Sequence, residues 1–231
     1  MNTMKNIAAC EYPMRARARF ASVLPHTLRV GLVAGLLWGL AGCSVLQTPA
    51  RPAVYDFGPG ATAPVASNRM APLPPLLLSG VQAASALDST AVLYRLAYSD
   101  AQQLRPYSLA RWSMPPAELL RQRLRDQLGQ RRAVLNPADG VVQGGAVLSL
   151  RIEIDEFSQW FEAPDRSTGL LRLRATLAQA GHGPERLVAQ RSFVVQEPSP
   201  TPDAPGGIKA LSLAADAVIA EIDQWVQQSQ P

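Results

Sequence analysis

Alternation of apolar and polar positions is the clearest pattern in this chain, and it is most regular between residues 148 and 154. The apolar positions are every second residue, with Ser149, Arg151 and Glu153 between them: Leu148, Leu150, Ile152 and Ile154. A period of two predicts a strand with one buried face. The alternation changes phase at 155–157, which predicts a β-bulge or bend before Trp160 and Phe161.

Similar patterns predict strands on both sides of this segment. After it, residues 171–177 alternate again, and residues 187–195 give a less regular strand. Before it we expect a short edge strand at 53–57 and a buried strand at 76–81. A hairpin is expected to follow, with its two strands at 92–98 and 105–112. The gaps between the later strands are short and rich in turn-forming residues, so these strands are predicted to be antiparallel neighbours.

Two segments have the spacing of amphipathic helices. The first begins at Pro115 and Pro116, carries leucines at positions 120, 124 and 128, and ends near Gly129. The second ends the chain, and its apolar stripe is Ile208, Leu211, Ala215, Val218, Ile222 and Trp225. These elements predict an α+β domain over residues 76–228, an antiparallel sheet with two amphipathic helices packed on it.

Residues 1–42 have the three parts of an export signal. Arginines at 15, 17 and 19 precede an uncharged apolar run at 30–40, which is too short for a stable membrane span. The next residues, Leu40-Ala41-Gly42-Cys43, resemble a bacterial lipobox, so cleavage is expected between Gly42 and Cys43. An uncleaved signal anchor running on to Leu46 is the alternative, and Met14 is an alternative start to Met1.

The lipobox resemblance implies that Cys43 becomes the first residue of the mature chain and carries diacylglycerol and a further acyl chain such as palmitate. Two or three acyl chains anchor a protein stably where one does not. Ser44 follows, where an Asp would resemble an inner-membrane retention signal, so we expect the periplasmic face of the outer membrane. Residues 43–75 are rich in proline and are predicted to be the lipidated tether, with the short edge strand inside it.

The net charge of +4 belongs to the leader. Five of the 22 basic residues and one of the 18 acidic residues precede Cys43, so 17 of each remain in the mature chain. A neutral domain lacks the basic face that nucleic-acid binding requires, so nucleic acid is not an expected partner.

Candidate chemistry is sparse in the mature chain. Its one histidine, His182, lies between two glycines in a predicted turn, where little would orient the ring for a catalytic triad. The carboxylates at 153, 155, 156 and 162 are predicted to form an ion-paired sheet surface, with Arg172 and Arg174 as cross-strand partners. With Cys10 removed and Cys43 acylated, no thiol is free. We therefore predict no catalytic residue, no metal site and no cofactor.

The aromatic residues provide the candidate contacts. Tyr94, Tyr98, Tyr107 and Trp112 fall on two adjacent predicted strands, where they form either core packing or a cluster on one face. Trp160 and Phe161 lie near a turn, where large apolar side chains cost solubility unless they meet a partner. These two residues are the predicted partner contact.

Several of these segments together resemble the ABC-type transport auxiliary lipoproteins, the family that includes the paraquat-inducible protein C type. The resemblance covers roughly Cys43 to Trp225 and includes the lipobox, the terminal helix and five short stretches: 55–59, 94–98, Tyr107, 111–116 and 154–157. Its motifs are aromatic and structural, not catalytic.

The resemblance implies a non-enzymatic lipoprotein that works with ABC transporter subunits and an MCE-type periplasmic protein in envelope lipid transport. The tethered domain would dock the periplasmic component. The resemblance also makes a ring-shaped homo-oligomer possible, and the residues do not decide whether this chain forms one. Two other classes stay open: an envelope-anchored hydrolase, and an assembly lipoprotein that binds a cell-wall synthase or an outer-membrane barrel.

Overall fold

The structure, a computed structural model, describes residues 50–60, 73–139, 147–181 and 184–229. The leader, Gly42, Cys43 and His182 lie outside these ranges. These ranges contain eight strands: β1 (Ala53–Tyr55), β2 (Leu73–Ala83), β3 (Ala91–Leu96), β4 (Asp100–Trp112), β5 (Arg132–Leu135), β6 (Val147–Ala163), β7 (Arg166–Ala180) and β8 (Arg186–Pro198). The same described ranges contain two α-helices: α1 (Pro116–Gly129) and α2 (Ala204–Gln228). Within the described ranges, no helix is long and apolar enough to cross a bilayer.

All eight strands belong to one sheet with β6 at its centre. One edge of β6 pairs with β7 along its whole length, and β7 pairs with β8; both pairs are antiparallel. The other edge is shared, because β2 pairs with residues 148–154 of β6 and β3 pairs with residues 159–161. A single 3₁₀ turn at Ser85–Leu87 separates β2 from β3, so both follow the same edge in the same direction.

The α+β fold class expected from the sequence is confirmed. Antiparallel pairing holds for β3–β4, β6–β7 and β7–β8, where short turns join successive strands. The β1–β4, β2–β5, β2–β6 and β3–β6 pairs are parallel, which short-range pattern did not predict. The sheet is therefore mixed, with parallel pairs among the strands from the first half of the chain and at their contact with β6.

Both helices pack on one face of the sheet, which we call the helix face, and the opposite side is called the open face. Helix α2 lies on β7 and β8, helix α1 lies on β2 and β5, and the two helices contact each other. The core between them is made of the predicted apolar positions, including Leu150, Ile152, Leu173, Val218 and Ile222, all fully buried. Burial of this continuous apolar layer is the main driving force for folding.

The predicted bulge lies in β6, where the register with β7 shifts between Ile154 and Glu156. Before the shift, the open-face residues Arg151 and Glu153 are exposed to solvent, while after it residues 156–159 are all buried. The second half of β6 is therefore covered on both faces. This change makes the C-terminal half of β6 the part of the sheet with most buried polar groups.

Residues 50–60 are packed against the domain. β1 pairs with residues 110–112 of β4, and the Phe57 ring contacts Trp112 and Phe157 with centroid separations of 5.6 and 5.9 Å. The Arg123 guanidinium on α1 donates to the carbonyl of Phe57 at 2.8 Å and pairs with Asp216 on α2 at 2.7 Å. The predicted edge strand is thus the first strand of the compact domain.

Candidate partner-binding surface

The two predicted contact residues lie on opposite faces of β6. Trp160 is on the open face and is partly exposed, in register with Arg95 of β3. Phe161 is on the helix face, 6% exposed, with its ring edge towards Tyr94 at a centroid distance of 6.1 Å. The expectation that Phe161 is exposed is therefore wrong, because successive strand residues point to opposite faces and the helix face is covered here.

The predicted aromatic cluster on β3 and β4 is divided between two sites. Trp112 packs in the core with Phe57 and Phe157. Tyr94 and Tyr107 stack on each other at 4.5 Å, next to Phe161, while Tyr98 is exposed. The aromatic residues are thus mainly core packing.

A buried ion pair supports the open face beside Trp160. The Arg95 guanidinium donates from Nε and Nη2 to the two carboxylate oxygens of Glu156, at 3.2 and 3.0 Å. Its Nη1 donates to the backbone carbonyls of Ala101 and Gln102 at 3.2 and 3.0 Å. The hydroxyl of Ser158 donates to Glu156 Oε1 at 2.6 Å. A buried charge needs such partners, so this network fixes the β3–β4 hairpin against β6.

A second polar network supports the helix face of the same segment. Gln159 is fully buried; its Oε1 accepts from the Tyr107 hydroxyl at 2.8 Å and its Nε2 donates to Ser167 Oγ at 2.8 Å. Burial raises the pKa of Tyr107, with further contributions from Tyr94 and Asp203, so its hydroxyl stays protonated and donates. A Cβ at Gly207 would collide with the Gln159 amide, so glycine there allows α2 to approach this network.

The open face around Trp160 carries a small apolar surface. We define the Trp160 surface as Trp160, Leu170 and Val194, one residue on each of β6, β7 and β8. Leu170 is opposite Ser158 and Val194 is opposite Arg172, so the three occupy neighbouring rows of the open face. Val194 is 59% exposed, and Leu170 is half-buried. An apolar surface on a rigid support is the type of site that protein partners use.

Two exposed ion pairs lie elsewhere on the open face. Arg151 pairs with Glu185 at 3.3 Å, and Arg174 pairs with Glu153 at 3.7 Å, as expected for that pair of strands. These exposed pairs contribute little stability and keep the surface soluble. Within the described ranges, no group of three or more His, Cys, Asp or Glu residues could hold a metal ion.

Two open grooves lie along the helices, away from Trp160. The first, about 570 Å³, is lined by Pro59, Gly60, Arg123 and Asp216 among others, and its arginine is already engaged with Asp216 and the Phe57 carbonyl. The contacts in this groove hold residues 57–60 to the helices.

The second groove, about 320 Å³, includes Asp223 of α2. The Asp223 carboxylate forms ion pairs with Arg131 at 3.6 Å and with the buried Arg132 at 3.5 Å. Burial lowers the pKa of Arg132, and Asp223 opposes that effect. Asp223 therefore joins α2 to the start of β5.

Comparison with known families gives one match that covers most of the domain. A family model described as the ABC-type transport auxiliary lipoprotein component matches residues 55–223. No curated protein sequence matches the chain significantly.

Comparison with solved structures supports the fold. Protein XCC0632 from Xanthomonas campestris, of the family DUF330, is 20% identical with a TM-score of 0.59, and the match covers 77% of this chain and 96% of that one. An uncharacterized protein is 15% identical with a TM-score of 0.55, over 76% of this chain and 99% of its own. Lipoprotein GNA1162 from Neisseria meningitidis is 17% identical over 66% and 99% of the two chains, but its TM-score of 0.25 supports no argument.

Proposed function

The chain belongs to the ABC-type transport auxiliary lipoprotein family, and from this premise we propose that it is a non-enzymatic adaptor of an envelope lipid transport system. In this proposal Cys43 carries the lipid anchor at the periplasmic face of the outer membrane. The folded domain docks the MCE-type periplasmic component that works with the ABC transporter subunits. The observation that carries the proposal is the family match, which extends from the last residue of β1 into α2 and so includes strands β2 to β8 in full.

The Trp160 surface is the proposed docking site for that component. Interface energy is concentrated in a few residues, and tryptophan is the residue type most enriched among them. The buried networks of Glu156 and Gln159 hold β6 on both faces, so Trp160 stands on backbone that loses little freedom on binding. This arrangement favours docking of a protein over chemistry at this end of the sheet.

The docking proposal is tested with the mature domain and an MCE-domain protein encoded with the same transporter. Trp160→Ala is expected to weaken binding by about 30-fold, the effect of losing an interface hot spot of about 2 kcal/mol. Val194→Ala should have a smaller effect of the same sign. The matched control is Leu213→Ala, which removes an exposed apolar side chain from α2, on the other side of the molecule.

The outcomes separate the docking site from the function. If the domain captures no more MCE-domain protein than an unrelated lipoprotein does, the adaptor function is wrong. If the domain binds the MCE-domain protein and Trp160→Ala binds it as tightly as Leu213→Ala does, the adaptor function stands and the contact lies elsewhere. Equal melting temperatures of both variants and the parent would exclude unfolding as the cause.

The anchor is tested separately. Labelled palmitate is expected to mark the full chain and not a Cys43→Ser variant, while Cys10→Ser should be labelled like the parent because Cys10 precedes the proposed cleavage site. Mass spectrometry of the mature N-terminus identifies the acyl chains, and membrane fractionation tests the outer-membrane location. An unmodified Cys43 thiol would contradict the lipoprotein anchor.

A further inference from the structure

The lipid anchor is connected to the domain at a fixed point. The backbone of β1 is paired with β4, the Ser113 amide donates to the Tyr55 carbonyl at 2.7 Å, and Phe57 is buried in the core. The chain therefore enters the sheet at Ala53.

That connection is short compared with the domain. About ten residues separate Cys43 from Ala53, and a fully extended chain of that length spans at most about 35 Å. A compact domain of about 180 residues has a radius of gyration of about 16 Å and a diameter of about 40 Å. The surfaces next to β1 can thus rest on the bilayer that holds Cys43, whereas the far side of the molecule cannot.

The surface next to β1 has the chemistry of a membrane contact. Val54 and Leu109 are 66% and 56% exposed on the open face, and Val54 lies directly opposite the exposed Arg111. Arg51, just before β1, is also exposed. We call these four residues the β1–β4 corner. Apolar side chains flanked by guanidinium groups match the boundary between acyl chains and anionic headgroups.

The acidic residues near the sheet are placed differently from the β1–β4 corner. Asp56, which follows β1, accepts a hydrogen bond from the Gly58 amide at 2.7 Å. The exposed carboxylates Asp100 and Asp165 lie at the β3–β4 and β6–β7 turns, where an anionic surface would repel them. The β1–β4 corner thus places apolar and basic side chains together next to the point where the chain enters the sheet.

We propose that the β1–β4 corner lies against the anionic lipid surface in which Cys43 is anchored and sets the orientation of the domain. This inference rests on the proposed lipidation. β1 is three strand positions from β6, so about 14 Å of sheet separates the corner from Trp160. The corner orients the domain while the Trp160 surface stays available to a protein partner.

The test uses the full lipidated chain in vesicles of phosphatidylcholine, with and without phosphatidylglycerol. With Cys43 acylated and Cys10 removed, an introduced cysteine is the single free thiol and can carry an environment-sensitive fluorophore. Probes at Val54→Cys and Leu109→Cys are expected to shift to the blue and to lose accessibility to an aqueous quencher about threefold in vesicles that contain phosphatidylglycerol. A probe at Leu213→Cys, on α2, should stay accessible.

A charge reversal supplies the second arm. Arg111→Glu is expected to restore quenching at Leu109→Cys, whereas Arg172→Glu, an exposed arginine on β7, should not. If the probes at 54 and 109 are quenched like the probe at 213 in an acylated protein, the corner does not touch lipid and the inference is wrong. Protection that appears only after a protein partner is added also overturns it. An N-terminus without acyl chains overturns the proposed anchor itself, and mass spectrometry identifies that case.

Discussion

Buried polar side chains in β6 have their partners on other elements. Glu156 is paired with Arg95 of β3, and Gln159 is paired with Tyr107 of β4 and Ser167 of β7. In a medium of low dielectric such groups are costly when unpaired, so each contact fixes the position of the element that supplies it. Through these contacts, individual residues hold the β3–β4 hairpin to the centre of the sheet.

Tyr107→Phe tests the value of the Gln159 network. Removal of the hydroxyl leaves the Oε1 of a fully buried amide without its donor, so we expect the free energy of unfolding to fall by about 1–3 kcal/mol. Tyr94→Phe is the matched control and should cost less than about 0.5 kcal/mol, since it keeps the stacked ring. Urea unfolding of both variants measures the difference. Equal losses would show that the hydrogen bond from Tyr107 to Gln159 does not contribute the expected stability.

Asp203 at the start of α2 predicts a dependence of stability on pH. Its carboxylate accepts from the Thr201 hydroxyl at 2.6 Å and from the Gly206 amide at 2.9 Å, and these bonds lower its pKa. A lowered pKa in the folded state stabilises the protein above the unfolded value, near pH 4, and this stabilisation is lost as pH falls through the folded pKa.

Asp203→Ala should cost about 1 kcal/mol at pH 7, while Asp203→Asn, which can also cap, should cost little. As the pH falls below about 4, the parent is expected to lose stability relative to Asp203→Asn. Unfolding free energies measured across this range test the prediction. A difference that is constant with pH would mean that the carboxylate charge is not involved.

At the scale of elements, the close approach of β7 and α2 depends on one residue without a side chain. A Cβ at Gly169 would lie 2.6 Å from the backbone of Ala210 and Leu211, too close for any real contact. Backbone cannot move aside as a side chain can, so α2 would have to shift along its whole packed stripe. Gly169 thus sets the distance between the sheet and its longest helix.

Gly169→Ala is expected to lower the unfolding free energy by about 1–3 kcal/mol, since an added carbon overpacks the interface. Gly129→Ala is the matched control, because nothing lies within 4 Å of its Cβ position and a helix gains from alanine. That variant should be neutral or up to about 1 kcal/mol more stable. Thermal unfolding of the pair gives the comparison, and similar melting temperatures would contradict the proposed contact.

At the scale of the whole molecule, the N-terminal segment joins parts that are distant in the chain. Phe57 packs on Trp112 from β4 and on Phe157 from β6. Arg123 of α1 donates to the Phe57 carbonyl and also pairs with Asp216 of α2. The segment 50–60 therefore helps to close the sheet and helices into one domain. The same contacts fix the point at which the proposed tether from Cys43 would join the domain.

Phe57→Ala is expected to destabilise the domain by about 3–5 kcal/mol, as for other buried phenylalanines replaced by alanine. Val54→Ala, an exposed neighbour on the same strand, should change stability by less than about 0.5 kcal/mol. Urea unfolding monitored by tryptophan fluorescence, to which Trp112, Trp160 and Trp225 all contribute, measures both variants. A loss below 1 kcal/mol at Phe57 would show that residues 53–60 contribute little to the domain.

The candidate site was only partly predictable from the sequence. Trp160 was identified because a tryptophan next to a turn is conspicuous, but Phe161 was assigned to the same exposed surface and is buried against Tyr94. The supporting networks were missed, since Arg95 and Glu156 are 61 positions apart and no short pattern relates them. Leu170 and Val194 join Trp160 only through the register of three strands.

Local periodicity determined much of this protein without any tertiary information. The alternation in β6 and β7, the bulge at residue 155, the helix boundaries near Gly129 and the apolar stripe of α2 all follow from spacing along the chain, because strand and helix geometry is local. The balance of 17 basic and 17 acidic residues from Cys43 onward also follows from the sequence alone.

The tertiary structure decided which strands are neighbours and which side chains are covered. The parallel pairing of β2 and β3 on one edge of β6, the docking of β1 beside β4, and the partners of Glu156 and Gln159 all join segments tens of residues apart. The energy of such contacts depends on where the whole chain places two distant segments, and hydrophobic burial, the main term, has no direction. Spacing along the chain therefore predicts which residues face inward, while folding alone settles what each of them meets.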